Sequence, residues 1–205
     1  MVICGGAALA GGHEPAHIGQ GLRASAAHST LILDNANSTA VLLHGKLCKG
    51  AENGEVERRA VSKHVTRIEA SHDGYVARFG LTHQRILSLR SDGTEMAGED
   101  ILIPAGRKGV RGKVGFAIRF HLGRGVEVQL SSDKRGATLI TRDGRLWQFR
   151  LRGDAAGAGE VALAIEDSLW VDGEGRPHAT HQLVIEGLPS RGGGQFSWLF
   201  IKMSG

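Results

Sequence analysis

Five dipeptides set the grammar of this sequence: Asn53-Gly54, Asp73-Gly74, Asp92-Gly93, Asp143-Gly144 and Asp172-Gly173. Asn, Asp and Gly tolerate the positive φ that tight connections between antiparallel strands demand, so each pair reads as a hairpin turn. Alternating apolar residues flank several of them. In Gly115–Leu122 the side chains of Phe116, Ile118, Phe120 and Leu122 share one face of a strand, and the period of two continues through Val126, Val128 and Leu130. Trp147, Phe149 and Leu151 face one way in the next run, with Arg150 and Arg152 on the other side. Phe196, Trp198 and Phe200 repeat the pattern near the C-terminus, and in 155–166 Val161, Leu163 and Ile165 alternate as a strand does. No segment sustains a 3.6-residue period between caps. A dozen or so short strands at this spacing predict an all-β domain, a two-sheet antiparallel β-sandwich, with a closed barrel as the other architecture of this class.

Composition closes off several alternatives. The 31 glycines follow no three-residue period and come with only 4 prolines, which excludes collagen. A net charge of +4 is spread along the chain and aromatics are 5% of residues, so a nucleic-acid surface of clustered Lys/Arg with interleaved rings is not expected. No run approaches the roughly 20 apolar residues of a membrane-spanning helix. The opening apolar stretch has no Lys or Arg before it, so it does not read as a secretory signal. Cys4 and Cys48 are the only cysteines, and either a disulfide or two free thiols fits them.

Candidate chemistry is sparse. The glycine-rich stretch at 5–12 leads to His13 and Pro15 instead of the helix N-terminus that a phosphate-cradling loop needs. The basic, glycine-rich loop 107–115 reads as an exposed connection, with an anion-binding loop as the functional alternative. His178 and His181, three apart, fall on opposite faces of a strand. His72 and His83 flank one hairpin-like segment and are expected to approach each other across it. The most distinctive stretch is 23–39, in which small residues lead through His28 and a hydroxyl pair into an apolar strand and a polar turn. A histidine held just before a strand needs a partner for its second ring nitrogen, which makes His28 a functional candidate.

That stretch resembles a signature of the heparinase II/III-like polysaccharide lyases, in which Arg-x-Thr-x-x-His-Asn/Ser-Thr leads into a strand. Here it stands as Arg23, Ser25, His28, Ser29 and Thr30, followed by Asp34, Asn35, Asn37 and Ser38. The run 71–89, with His72, Gly74 and Tyr75 and then His83 and Arg85, is similar to the family's His-x-Gly-Tyr segment. Residues 98–102 and 118–122 also fit, in the right order.

The resemblance implies that residues 1–205 form one C-terminal β-sandwich domain of a two-part enzyme, truncated at its N-terminal edge. The missing partner is a helical (α/α) toroid, and an acidic polysaccharide lies in the cleft between the two. The implied reaction is β-elimination at a uronic acid, with the main catalytic residues on the missing part and little activity expected of this chain alone. Arg23, His28, His72 and Tyr75 are the implied substrate-binding or site-supporting residues, and a periplasmic or cell-envelope location is implied too. His28 matches a metal-ligand position, but Ile3 or Cys4 stands where the family's aspartate falls and the other histidine is missing, so no metal or other cofactor is expected. The rival reading is a non-catalytic carbohydrate-binding or structural sandwich. Its exposed sugar platform is sought at Tyr75 or Trp170, with Trp147 and Trp198 assigned to the core.

Overall fold

A computed structural model describes residues 1–4, 16–40, 50–106, 112–153 and 161–203. The stretch at 5–12, His13, Cys48 and residues 107–111 of the basic loop lie outside the described residues. In chain order the strands are β1 (Val2–Ile3), β2 (Leu31–Leu33), β3 (Gly54–Ser62), β4 (Val65–His72), β5 (Leu81–Arg90) and β6 (Glu95–Pro104). They continue with β7 (Phe116–Leu122), β8 (Glu127–Leu130), β9 (Gly136–Ile140), β10 (Leu146–Arg152), β11 (Val161–Val171), β12 (Pro177–Gly187) and β13 (Gly194–Lys202). Two short helices, α1 (Ala16–Gly21) and α2 (Val76–Phe79), and one 3-10 turn at Ser25–Ala27 complete the described elements.

The strands form two antiparallel sheets, as the turn chemistry predicts. One runs β3-β4-β5-β6-β13-β10-β9-β8; the other runs β1-β7-β12-β11, with β2 also on β7. Alternation decides what lies between them. From the smaller sheet come Phe116, Ile118, Phe120, Leu122, Leu163, Leu183 and Ile185; the larger supplies Leu81, Leu102, Leu139, Phe149, Phe196, Trp198 and Phe200. Phe120 sits at the middle, with ring centroids 4.7 Å from Trp198 and 5.4 Å from Phe149 and Phe200. Each such buried side chain contributes about 1.5–3 kcal/mol of transfer free energy, so this layer holds the sheets together. All of β3, by contrast, is exposed; its Glu55, Glu57, Arg58 and Arg59 discourage edge-to-edge pairing.

Three of the five dipeptides turn hairpins, between β5 and β6, β9 and β10, and β11 and β12. In the last of these the left-handed residue is Gly175, at φ 78°, two positions beyond Gly173. Asn53-Gly54 and Asp73-Gly74 do not turn hairpins. The first opens β3 and the second links β4 to α2, and the two meet each other. The Asp73 carboxylate accepts the backbone N–H of Glu52 at 2.8 Å and of Asn53 at 3.1 Å, together with the Asn53 side-chain amide at 2.8 Å. A carboxylate used this way ties two loops together instead of closing one. The β3–β4 hairpin turns at Lys63-His64, where the Ser62 hydroxyl accepts the His64 N–H at 3.1 Å.

Candidate functional site

Alternation along β5 and β6 places His83, Arg85 and Leu87 in line with Leu81, paired in register with Leu102, Asp100 and Gly98. Three charged or titratable residues therefore occupy core positions. Asp100 is fully buried, and all of its acceptor capacity is used. Its Oδ1 accepts from His83 Nε2 and Arg85 Nε, both at 2.8 Å; its Oδ2 accepts from Arg85 Nη2 and Trp198 Nε1, both at 2.9 Å. A buried carboxylate is tolerable when a bidentate guanidinium and neutral donors saturate it in this way. Gly98 makes room for the Trp198 donor: a Cβ there would stand 2.2 Å from the indole ring.

Donor counting fixes the protons of the two histidines beside this carboxylate. The Gly74 N–H donates to His72 Nδ1 at 3.2 Å, so the His72 proton sits on Nε2 and donates to His83 Nδ1, also at 3.2 Å. His83 must then carry its proton on Nε2, facing Asp100. Burial, with the nearby His83 adding to it, lowers the His72 pKa from 6.5 to about 4, so the ring is neutral at pH 7. Burial alone would raise the Asp100 carboxyl; the Arg85 charge and the hydrogen bonds from His83 and Arg85 outweigh it and hold the group well below the usual carboxylate range. This cluster has no free lone pair for acid–base work. It acts as a keystone.

What the keystone grips is the stretch 25–38. Arg85 Nη1 donates to the Ser29 carbonyl, and the Tyr75 hydroxyl donates to the Leu31 carbonyl at 3.1 Å. Burial pushes the Tyr75 hydroxyl up to about 12, which keeps it a donor. Asn37 Oδ1 accepts the Ser25 N–H at 2.8 Å, and Ser25 Oγ accepts the Ser38 N–H at 3.0 Å. Gly74 lies so close to the Ser38 carbonyl that a Cβ would be 2.4 Å from it. The far side of the same stretch meets the outer face of the smaller sheet. Ser29 Oγ accepts the His121 N–H at 3.0 Å and donates to the Ile3 carbonyl, bridging the gap between β1 and β2 along β7. His121 Nε2 donates to the Ala26 carbonyl at 2.9 Å, which leaves Nδ1 to accept from the Ser168 hydroxyl at 2.8 Å.

Beside His121, Arg119 Nη1 pairs with Glu166 at 2.9 Å, and the Gln182 amide donates to the same carboxylate oxygen at 3.0 Å. Among the described residues Arg119 Nε, Thr180 Oγ1 and Gln182 Oε1 are buried without a hydrogen-bond partner. Burial lowers the His121 pKa, and the charges of Arg119 and His28 act in the same direction. The His28 ring is thus an electrostatic neighbour of His121 on this outer layer.

The four residues singled out from the sequence divide into two pairs. His72 and Tyr75 come together, with ring centroids 5.4 Å apart, on the inner side. Arg23 is exposed and His28 half-buried, both on the covering segment of the smaller sheet. The approach of His72 to His83 is as expected. Arg85, Asp100 and His121 were not singled out, although they lie within the segments that carry the family resemblance. For Arg85 and Asp100 the signal is a charged residue at an apolar parity position; His121 lies on the face of β7 opposite Phe120 and Leu122 and carries no such signal. Tyr75 is 1% exposed and therefore no platform for sugar rings. Trp198 is core, and Trp147 packs half-buried against the core cluster. Ile3 offers only hydrocarbon, its carbonyl is taken by Ser29, and the described residues hold no group of three His, Cys, Asp or Glu suited to a metal ion. Cys4 is exposed.

Comparisons with known proteins bear on the family and the fold. The sequence matches the family described as Heparinase II/III-like, C-terminal over residues 2–199. No curated protein matches it. Among solved structures, the heparan sulfate lyase HepC from Pedobacter heparinus aligns at a TM-score of 0.70 and 16% identity, over 92% of this chain and 26% of the lyase. A heparinase III aligns at 0.69 and 14% identity, covering 93% and 26%. The heparinase III BT4657 gene product aligns at 0.73 and 11% identity, covering 100% of this chain and 28% of its own. At these identities the likeness is one of fold, and the chain spans about a quarter of the length of these lyases.

Proposed function

The chain belongs to the heparinase II/III-like C-terminal family, and from that premise we propose that it is the β-sandwich part of a polysaccharide lyase acting on a uronic-acid-containing polymer. The family match over residues 2–199 carries this reading. In the β-elimination, a base removes the proton from C5 of the uronate, the C4–O4 bond breaks, a C4–C5 double bond forms, and an acid protonates the departing O4. No water is consumed. Such a step needs an acid and a base within hydrogen-bonding reach of those atoms. The main acid and base belong to a helical toroid working beside this sandwich. The sandwich contributes the layer over its smaller sheet, where Arg23 and His28 reach solvent beside the buried His121 and the Arg119–Glu166 pair. The keystone of Asp100, Arg85 and Tyr75 fixes that layer from beneath. The enzyme works in the periplasm or cell envelope.

The test is product release. A protein carrying this sandwich together with the toroid is incubated with uronate polymers, and ultraviolet absorbance of the unsaturated uronate is followed. Steady accumulation is expected from the two-part protein and almost none from residues 1–205 alone. Absence of unsaturated product from every uronate polymer tried would remove the lyase reading.

A further inference from the structure

One end of the sandwich carries a cleft that the keystone and the His28 layer leave unused. It lies between the β7–β8 turn and the β9–β10 hairpin and comprises two adjoining cavities, of about 540 and 520 Å³. Both are lined by Arg124, Thr141 and Arg142. The two turns touch: the aliphatic stem of Arg142 lies against Gly125, whose Cβ would stand 3.6 Å from it. Three arginines face this space, and their charges are unequally matched. Arg145 pairs with Asp143 at 3.0 Å, and the Thr141 hydroxyl donates to the same carboxylate at 2.5 Å, so Asp143 is committed. Arg142 and Arg124 have no ion pair among the described residues. Trp147 lines the larger cavity, and Arg124 also lies over the Trp170 ring, 5.9 Å from its centroid. Trp170 is half-buried, stacked on His178 at 5.6 Å.

We propose that this cleft is a binding subsite for one anionic sugar residue of a polysaccharide, apart from the His28 layer. Unmatched guanidinium groups recognise carboxylate or sulfate oxygens in a planar, two-pronged fashion. Trp147, which lines the larger cavity, offers apolar aromatic surface against which the C–H face of a pyranose ring can pack. Asp143 lines the larger cavity and Glu127 the smaller, so the basic lining is interrupted by carboxylates and is ill-suited to the regular phosphates of a nucleic acid. The assignment of a saccharide as ligand rests on the lyase reading; the anion-binding character rests on the cleft itself.

The experiment is a binding titration of residues 1–205, followed by tryptophan emission, with four probes. These are a heparin oligosaccharide (sulfated and carboxylated), an oligogalacturonate (carboxylate only), neutral dextran, and oligothymidylate. The variants are R124A/R142A, its charge-keeping counterpart R124K/R142K, and R59A/R90A, which removes the same charge far from the cleft. Heparin binding should weaken about tenfold or more in R124A/R142A, with less than about twofold change in R59A/R90A. The Lys pair should fall between them. Dextran should not bind. Binding of the oligogalacturonate as well assigns carboxylate as sufficient, and binding of heparin alone assigns sulfate. Equal weakening by R59A/R90A, no binding of either anionic saccharide, or oligothymidylate binding just as tight and just as dependent on Arg124 and Arg142 would overturn the proposal. Because the readout is binding by this chain, its failure is separable from failure of product release by the two-part enzyme.

Discussion

The chain builds the same trio, an aspartate holding one histidine and one arginine, in two places with opposite consequences. Asp100 takes His83 and Arg85 at 2.8 Å, and Asp172 takes His178 and Arg176 at 2.9 Å. Both carboxyls are held well below their usual range. For Asp172 the hydrogen bond from His178 leads, followed by the Arg176 N–H; for Asp100 the Arg85 charge must first overcome burial. What differs is reach. The partners of Asp100 come from β5 and, 98 residues away, from Trp198 on β13, and through Arg85 the trio grips Ser29. Asp172 binds groups no more than six residues ahead, in its own hairpin. Matching distances and matching pKa directions therefore say little about what an ion pair does for a fold. The sequence separation it spans, and the solvent it excludes, say more.

Breaking the inner trio should have the largest effect. Asp100→Asn keeps the shape but leaves the Arg85 guanidinium, 16% exposed, without its counter-charge in the core. Removing one partner of a buried pair costs about 3–5 kcal/mol, which should appear as a large drop in the urea midpoint. Neutralising both sides with R85M/D100N should recover part of the loss, because no orphan charge remains. A D100N protein as stable as the parent would mean that the keystone holds nothing.

Acid sharpens the contrast. His72 has a folded pKa of about 4 against 6.5 unfolded, so between those values the unfolded chain binds more protons. Stability is then fully present above about pH 6.5 and falls as the pH drops toward 4, with a slope of up to about 1.4 kcal/mol per unit. The depressed Asp100 extends the loss below the usual carboxylate pKa of about 3.9, since its stabilisation requires the ionised form. Urea denaturation between pH 7 and 4 should show the slope, and His72→Gln should flatten it, leaving the His121 contribution, which has the same sign. A parent protein whose stability is level from pH 7 to 4 would contradict the burial of His72.

How far this was legible in the sequence differs between fold and site. Alternation at Phe116, Ile118, Phe120 and Leu122 is a local property of strands, and it read through directly to the buried face of β7. Turn dipeptides read correctly where the Asp side chain stays within its own turn, as Asp172 does with Glu174 and Arg176. At Asp73 a side-chain carboxylate reached another loop, which no dipeptide rule contains. Tyr75 and Arg23 came from the resemblance, while His28 and His72 were also marked by their place next to a strand and across a hairpin; their division between two layers depends on how the sheets pack. Asp100 carried a readable signal, a carboxylate in phase with Met96 and Leu102. Its donor Trp198 did not, because pairing β6 with β13 is a tertiary fact settled by register.

Breaking the outer trio should do least, and it should do it locally. Asp172→Ala removes the acceptor for the Glu174 N–H at 2.9 Å and the Arg176 N–H at 3.0 Å, and it frees His178 from its 2.9 Å contact. Asp172 is 9% exposed, but its partners sit at the tip of the β11–β12 hairpin, where Glu174 and Arg176 are exposed and water can reach them, so the global urea midpoint should move less than in D100N. Hydrogen exchange should nonetheless quicken at the amides of Glu174 and Arg176, while the amides of β6 and β13 keep the parent rates. In D100N the pattern should invert, with exchange rising across β5, β6 and β13 and the hairpin tip following only the global change. If D172A instead lowered the midpoint as far as D100N does, reach and burial would not be what separates the two trios. The β11–β12 tip would then have to be coupled to the core through its Trp170–His178 stack.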